Sequence, residues 1–215
     1  MKRQQPEPYL AAFQKACREM QRIEPKIVAW RSDTRYQELN GGGLFEVRFW
    51  GKDYAVYYPE IAVRELETGQ VPPIHYQIII LHYLLTADGT PLADRWISFR
   101  DLPGGRVYNK VFRKRACLPL IRTFGYDVEA FIRAAEALGG ERLTFGDASF
   151  LFRILPRIRL AVILWAGDEE LPPSANVLYD AASEHYLPTE DLAVLGGMLS
   201  GRLTRPLTRS PAHKV

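Results

Sequence analysis

Residues Pro156 to Asp191 read PRIRLAVILWAGDEELPPSANVLYDAASEHYLPTED. Ile158, Leu160, Val162 and Leu164 alternate along a strand whose other face begins with Arg157 and Arg159 and becomes apolar. That pattern predicts a strand lying centrally in its sheet at its far end. Asp168-Glu169-Glu170 followed by Pro172-Pro173 is turn chemistry. Ala175 to Asp180 follows as the antiparallel partner strand, and Thr189 suits the N-cap of a closing helix that carries Leu192, Leu195, Leu199 and Leu203.

The same grammar recurs upstream. Phe45, Val47 and Phe49 share one face of LFEVRFW, Gly51-Lys52 reads as a two-residue turn, and DYAVYY returns. The glycines at 41–43 lack the Gly-Lys-Ser/Thr and helix start of a phosphate loop, so they read as a strand connection. Tyr9, Leu10, Phe13, Ala16, Cys17 and Met20 recur at helical spacing, with Pro25 as the stop. Ile74 to Leu85 is apolar nearly all round, which predicts a central buried helix. After Leu102-Pro103-Gly104-Gly105 a helix starts at about Arg106, with Val107, Tyr108, Val111 and Phe112 expected inward and Arg106, Lys110, Arg113 and Lys114 outward. Asp127 caps a helix that stops at Gly139-Gly140, and Gly146-Asp147 reads as a turn between short strands. Strands in hairpins and helices in runs predict an α+β fold: one domain over residues 1–204, an antiparallel sheet covered by helices, then a basic tail at 205–215.

Composition narrows the function classes. Of 215 residues, 47% are hydrophobic and 25% charged, an ordinary globular balance. The net charge of +3 belongs to the tail: without Arg202, Arg205, Arg209 and Lys214, 24 basic groups face 25 acidic ones. A near-neutral body argues against a nucleic-acid partner. The start, MKRQQPEPYL, has no apolar signal-peptide core, and no apolar run is long enough to span a membrane. The two cysteines, Cys17 and Cys117, form no metal-ligand motif, and their scarcity fits a reducing cytoplasm.

The ordered pieces LHYLL, WISFRDLPGG, FGYD, LGG and GDEELPPSANVLYD with YLPTEDLA resemble DUF3786, a bacterial and archaeal domain of unknown function. The likeness runs from roughly Tyr9 to Leu203. Relatives fused to or neighbouring iron–sulfur and corrinoid modules make a tetrapyrrole the ligand that the resemblance implies. The four-cysteine cluster segment of the fused form is missing here, which removes its iron–sulfur implication.

The residues themselves offer several constellations. Arg106 and Lys110, one turn apart behind Gly104-Gly105 and beside Tyr108, would suit a carboxylate or phosphate, or form a solvated basic face. His82 is either a tetrapyrrole axial ligand or a hydrogen-bonded core residue. His75, seven positions earlier and about 10 Å away along the helix, cannot share its metal. Trp165 belongs to a set of aromatic residues able to line a pocket for a planar ligand. Asp168 and Glu169 would supply a carboxylate- or metal-dependent enzyme. Their obvious partners, Glu190 and Asp191, lie beyond a strand about 17 Å long, so a polar turn is the competing reading. The expectation is therefore a non-catalytic binding or accessory protein for a small, anionic, largely apolar ligand. An enzyme at Asp168-Glu169 and a protein-docking module are the alternatives.

Overall fold

The computed structural model describes residues 7–205. The expected tail beyond Arg205, with Arg209 and Lys214, lies outside the described residues. The chain divides into two compact units. One holds the described residues up to Trp96, together with Arg153–Arg159 and Tyr179–Leu192; the other holds Ile97–Phe152, Leu160–Leu178 and the residues from Ala193 on.

In the first unit, α1 (Glu7–Met20), α2 (Pro25–Ser32) and α3 (Ile74–Thr86) accompany a four-stranded antiparallel sheet. Its order is β1 (Arg35–Leu39), β2 (Gly42–Phe49), β3 (Lys52–Tyr58), β4 (Ala62–Glu65). Phe45, Val47 and Phe49 are fully buried, as the alternation requires. The hairpin turn lies one residue earlier than the glycine implied. Phe49 pairs with Lys52, so Trp50-Gly51 is the turn, and both have positive φ, 53° and 76°. Two left-handed residues match the twist of the flanking strands, as in a type I′ turn. Pro25 is also reassigned. It occupies the first turn of α2 rather than ending α1, because proline's missing N–H costs nothing there.

Helix α3 is the expected buried helix: Ile78 to Leu81, Tyr83 and Leu84 are all buried. It packs against α1 and α2. The Tyr83 hydroxyl donates to Ser32 O at 2.6 Å and accepts from Arg157 N–H at 3.1 Å, while its ring stacks on Tyr186 at 5.8 Å. Burial pushes the Tyr83 phenol far up, so it stays a neutral donor.

The second sheet contains β5 (Trp96–Ser98), β6 (Glu141–Leu143), β7 (Ala148–Leu155), β8 (Ile158–Trp165) and β9 (Ser174–Asp180), in the order β5-β9-β8-β7-β6. β8 is central, as its two apolar faces predict, with Leu160, Ala161 and Val162 fully buried. The fold is α+β with two antiparallel sheets. The remaining helices are α4 (Gly105–Phe112), α5 (Leu118–Phe124), α6 (Val128–Ala137) and α7 (Thr189–Leu203). Asp127 caps α6 by accepting Ala130 N–H at 2.8 Å.

A π-turn, Arg113–Cys117, joins α4 to α5. Leu118 N–H reaches back to Arg113 O, and the next residue, Pro119, has no N–H to restore α-helical spacing. Among the described residues, no helix is long and apolar enough to cross a membrane.

The expected orientation of α4 is corrected. Phe112 alone of its four apolar residues is buried, at 4% exposure; Val107 is 82% exposed, Tyr108 58% and Val111 48%. The helix is pinned on another side. Phe112 stacks on Phe99 at 4.2 Å, and a side chain at Gly105 would lie 2.0 Å from Phe99 O. That close approach sets the rotation and turns the valines outward.

Candidate functional site

The end of β8 and the loop leading to β9 form an open cleft of about 690 Å³ in the second unit. Its wall is Trp165, 36% exposed at the last position of the strand. Ala166, Leu171, Pro172, Ser174 and Asn176 line it with two carboxylates, Asp147 and Asp168. The indole emerges at the end of the strand, whereas the preceding residues, Leu160 to Leu164, are all buried.

Local hydrogen bonds hold each carboxylate. Asp147, in the β6–β7 turn, donates its N–H to Leu164 O at 3.0 Å and accepts Ala166 N–H through Oδ2 at 2.7 Å. Asp168 accepts Glu170 and Leu171 N–H through Oδ1, both at 2.8 Å, and donates its own N–H to Leu171 O at 3.0 Å. The Leu171 and Glu170 amides hold the Asp168 carboxyl below its ordinary range, so it is ionised at neutral pH. Asp147 Oδ1, Asp168 Oδ2, the Trp165 indole N–H and the Asn176 amide face no protein hydrogen-bond partner among the described residues. The loop base is tight. Gly167 N–H donates to Gly125 O at 2.8 Å, and a side chain at Gly167 would lie 2.5 Å from Pro173 and 2.7 Å from the Tyr126 ring.

Chemically, this is an aromatic wall facing two fixed acceptors, with no basic lining residue. It suits a planar group bearing N–H donors or positive charge. A tetrapyrrole with carboxylate substituents would set like charges against Asp147 and Asp168, and the cleft does not fit it.

Of the residues singled out in the sequence, Trp165 and Asp168 meet in this cleft. Glu169 is exposed on the same loop and does not line it. Arg106, Tyr108 and Lys110 share the exposed face of α4 and do not line it either.

His82 belongs to the first unit. It is half-buried on α3, with Nδ1 2.6 Å from Asp191 Oδ2. This contact engages with His82 the Asp191 carboxylate that the sequence also offered as a partner for Asp168. It leaves His82 Nε2 without a protein partner among the described residues. His185 makes a similar contact with Asp88, at 2.7 Å. Burial works against the Asp88 charge, but hydrogen bonds from His185 and Thr90 hold that carboxyl at about 2. Burial pushes the Cys117 thiol up, away from thiolate chemistry. Among the described residues, no group of three or more His, Cys, Asp or Glu side chains is placed to hold a metal ion.

Sequence reasoning missed Asp147 and Asn176 as cleft residues. Gly146-Asp147 was legible as a turn, but its position beside Trp165 follows from β7 and β8 being neighbours, which no local pattern encodes. It also missed the buried Arg159–Asp180 pair, at 2.6 Å, whose partners stand 21 positions apart.

A family model described as Domain of unknown function (DUF3786) matches residues 24–202. No curated protein and no solved structure matches the chain.

Proposed function

The chain belongs to the DUF3786 family, and from its own geometry we propose that it is a non-catalytic binding protein whose ligand sits in the Trp165 cleft. One observation carries this reading: a partly exposed indole stands beside two locally anchored carboxylates, Asp147 and Asp168, each with an oxygen left over. The ligand class is a planar molecule with a donor-bearing or cationic edge, which exchanges the anionic ligand expected from the sequence for one of opposite polarity. Non-catalytic binding is favoured over a carboxylate enzyme because Asp168 Oδ1 is committed to its own turn and Glu169 is exposed and does not line the cleft. A cytoplasmic location fits the two free thiols, Cys17 and Cys117.

The test is a matched pair of probes, benzamidinium and benzoate, equal in shape and opposite in charge. Calorimetric titration of benzamidinium should give a Kd on the order of 1 mM, as a small probe in an open site allows. Trp165→Ala should weaken it about fivefold, consistent with one exposed cation–π contact. Benzoate should not bind. Equal binding of the two probes, or benzamidinium affinity indifferent to Trp165→Ala, would sink the reading.

A further inference from the structure

The second surface with unassigned chemistry is the outward face of α4. We propose that Val107, Tyr108 and Val111, flanked by Arg106 and Lys110, dock an acidic protein partner that presents an apolar groove edged with Asp or Glu side chains.

Three observations carry it. The first is placement. Gly105 and Phe112 clamp α4 against Phe99, and the face left outward centres on Val107, 82% exposed. Lys110 and Val111 stand one turn on from it, so an apolar strip and a basic strip run side by side.

The second is charge. Between Asp101 and Asp127 the sequence holds Arg106, Lys110, Arg113, Lys114, Arg115 and Arg122 and no acid. All six are exposed, and none makes an ion pair with a described residue. Outside this segment and residues 201–215, 18 basic groups face 25 acidic ones, so the basic excess is local. The complement is an anionic surface.

The third is shape. A convex, two-turn helix with branched aliphatic residues at its crest fits a groove, the helix-in-groove mode of recognition. Valine contributes nothing to a phosphate backbone. Three modest apolar side chains on two turns are also a small anchor for a bilayer, where long amphipathic helices with large apolar residues operate. A protein partner is the occupant that uses both strips.

The experiment selects phage-displayed random peptides on the full chain and counter-selects them on a Val107→Ser, Val111→Ser variant. The substituted positions are solvent-facing, so the variant should keep the wild-type circular dichroism spectrum and melting temperature. Enriched peptides should carry several Asp or Glu residues around apolar residues at helical spacing. In fluorescence anisotropy the serine variant should bind them about tenfold more weakly, and an Arg106→Glu, Lys110→Glu variant should also lose the salt dependence. No enrichment, neutral or basic consensus peptides, or equal binding to the serine variant would overturn the proposal. Phosphatidylserine vesicles and single-stranded DNA form the other arms. Binding of either probe that is lost in the serine variant would also overturn it, in favour of a lipid or a nucleic-acid surface. The cleft residues are untouched, so benzamidinium binding separates failure here from failure of the cleft reading.

Discussion

Replacing Asp180 by Ala removes a buried side chain that accepts four hydrogen bonds. Its carboxylate is 1% exposed. Oδ1 accepts Ala93 and Ala182 N–H, both at 2.9 Å, while Oδ2 accepts Asp94 N–H at 3.0 Å and the Arg159 guanidinium at 2.6 Å. Arg159 is itself nearly buried, lies 5.8 Å over the Trp96 ring, and keeps one other carboxylate, the exposed Asp94 at 2.6 Å. Truncation leaves three amides and most of a cation without their acceptor. Each orphaned amide costs about 1–3 kcal/mol where water cannot enter, and breaking a buried ion pair costs about 3–5 kcal/mol in total. Asp94 retains part of the Arg159 interaction and water can reach Ala93 and Asp94, so the expected loss is about 3–5 kcal/mol rather than the sum. Asp180→Asn keeps acceptors but not charge and should lose roughly half of that. Urea denaturation at neutral pH measures both. The pH dependence has a definite sign. Burial opposes the Asp180 charge, yet the Ala182 and Ala93 amides and Arg159 hold its carboxyl below the ordinary 3.8. Its stabilisation is therefore complete above that value and is lost as pH falls through the lower folded value. The Asn variant should lack this acid slope. A loss below about 1 kcal/mol in Asp180→Ala would refute the anchoring role, because no buried pair of this kind breaks so cheaply.

Leu81→Ala in α3 removes a fully buried side chain and should cost about 2–5 kcal/mol in the same assay; a loss under about 0.5 kcal/mol would place α3 at a surface. Titration of magnesium, manganese and calcium into wild type and an Asp168→Asn, Glu169→Gln variant should show only weak, non-stoichiometric heats in both, since hard cations require several converging oxygens. Tight binding abolished in the variant would promote the carboxylate enzyme reading. Asp88→Asn should flatten any acid-limb stability change between the ordinary 3.8 and the folded value of about 2, the window in which that carboxylate's contribution is lost as pH falls. The effect should be small, because the pair it forms with His185 is half exposed.

Elements with a strong two-residue or all-round apolar pattern were legible from the chain. β2, β3, β8, β9 and α3 each carry enough burial to state their own period. β1 and β4 were not: β1 is RYQEL, largely exposed along its length, and only pairing to β2 makes it a strand. The turn at Trp50-Gly51 misled because glycine marks a positive φ without saying whether its neighbour shares it. The rotation of α4 illustrates a deeper limit. Amphipathicity identifies an apolar stripe, but which stripe is buried depends on steric fit, and at Gly105 the backbone approach of Phe99 outweighed two valines. At the candidate site, Trp165 and Asp168 were legible because they lie three residues apart on a recognisable strand end. Asp147 and Asn176 arrive from a turn and a neighbouring strand, so their membership is a property of strand order rather than of any local run.

The central claim, a binding cleft at Trp165, is tested most directly by following side-chain nitrogen-bound protons by NMR during titration with benzamidinium and, separately, benzoate. The Trp165 indole N–H and the Asn176 amide should shift saturably with benzamidinium and stay fixed with benzoate, while the Trp30 indole, exposed elsewhere at 76%, stays fixed with both. Matching shifts with benzoate, or shifts that bypass Trp165 and Asn176, would contradict the account.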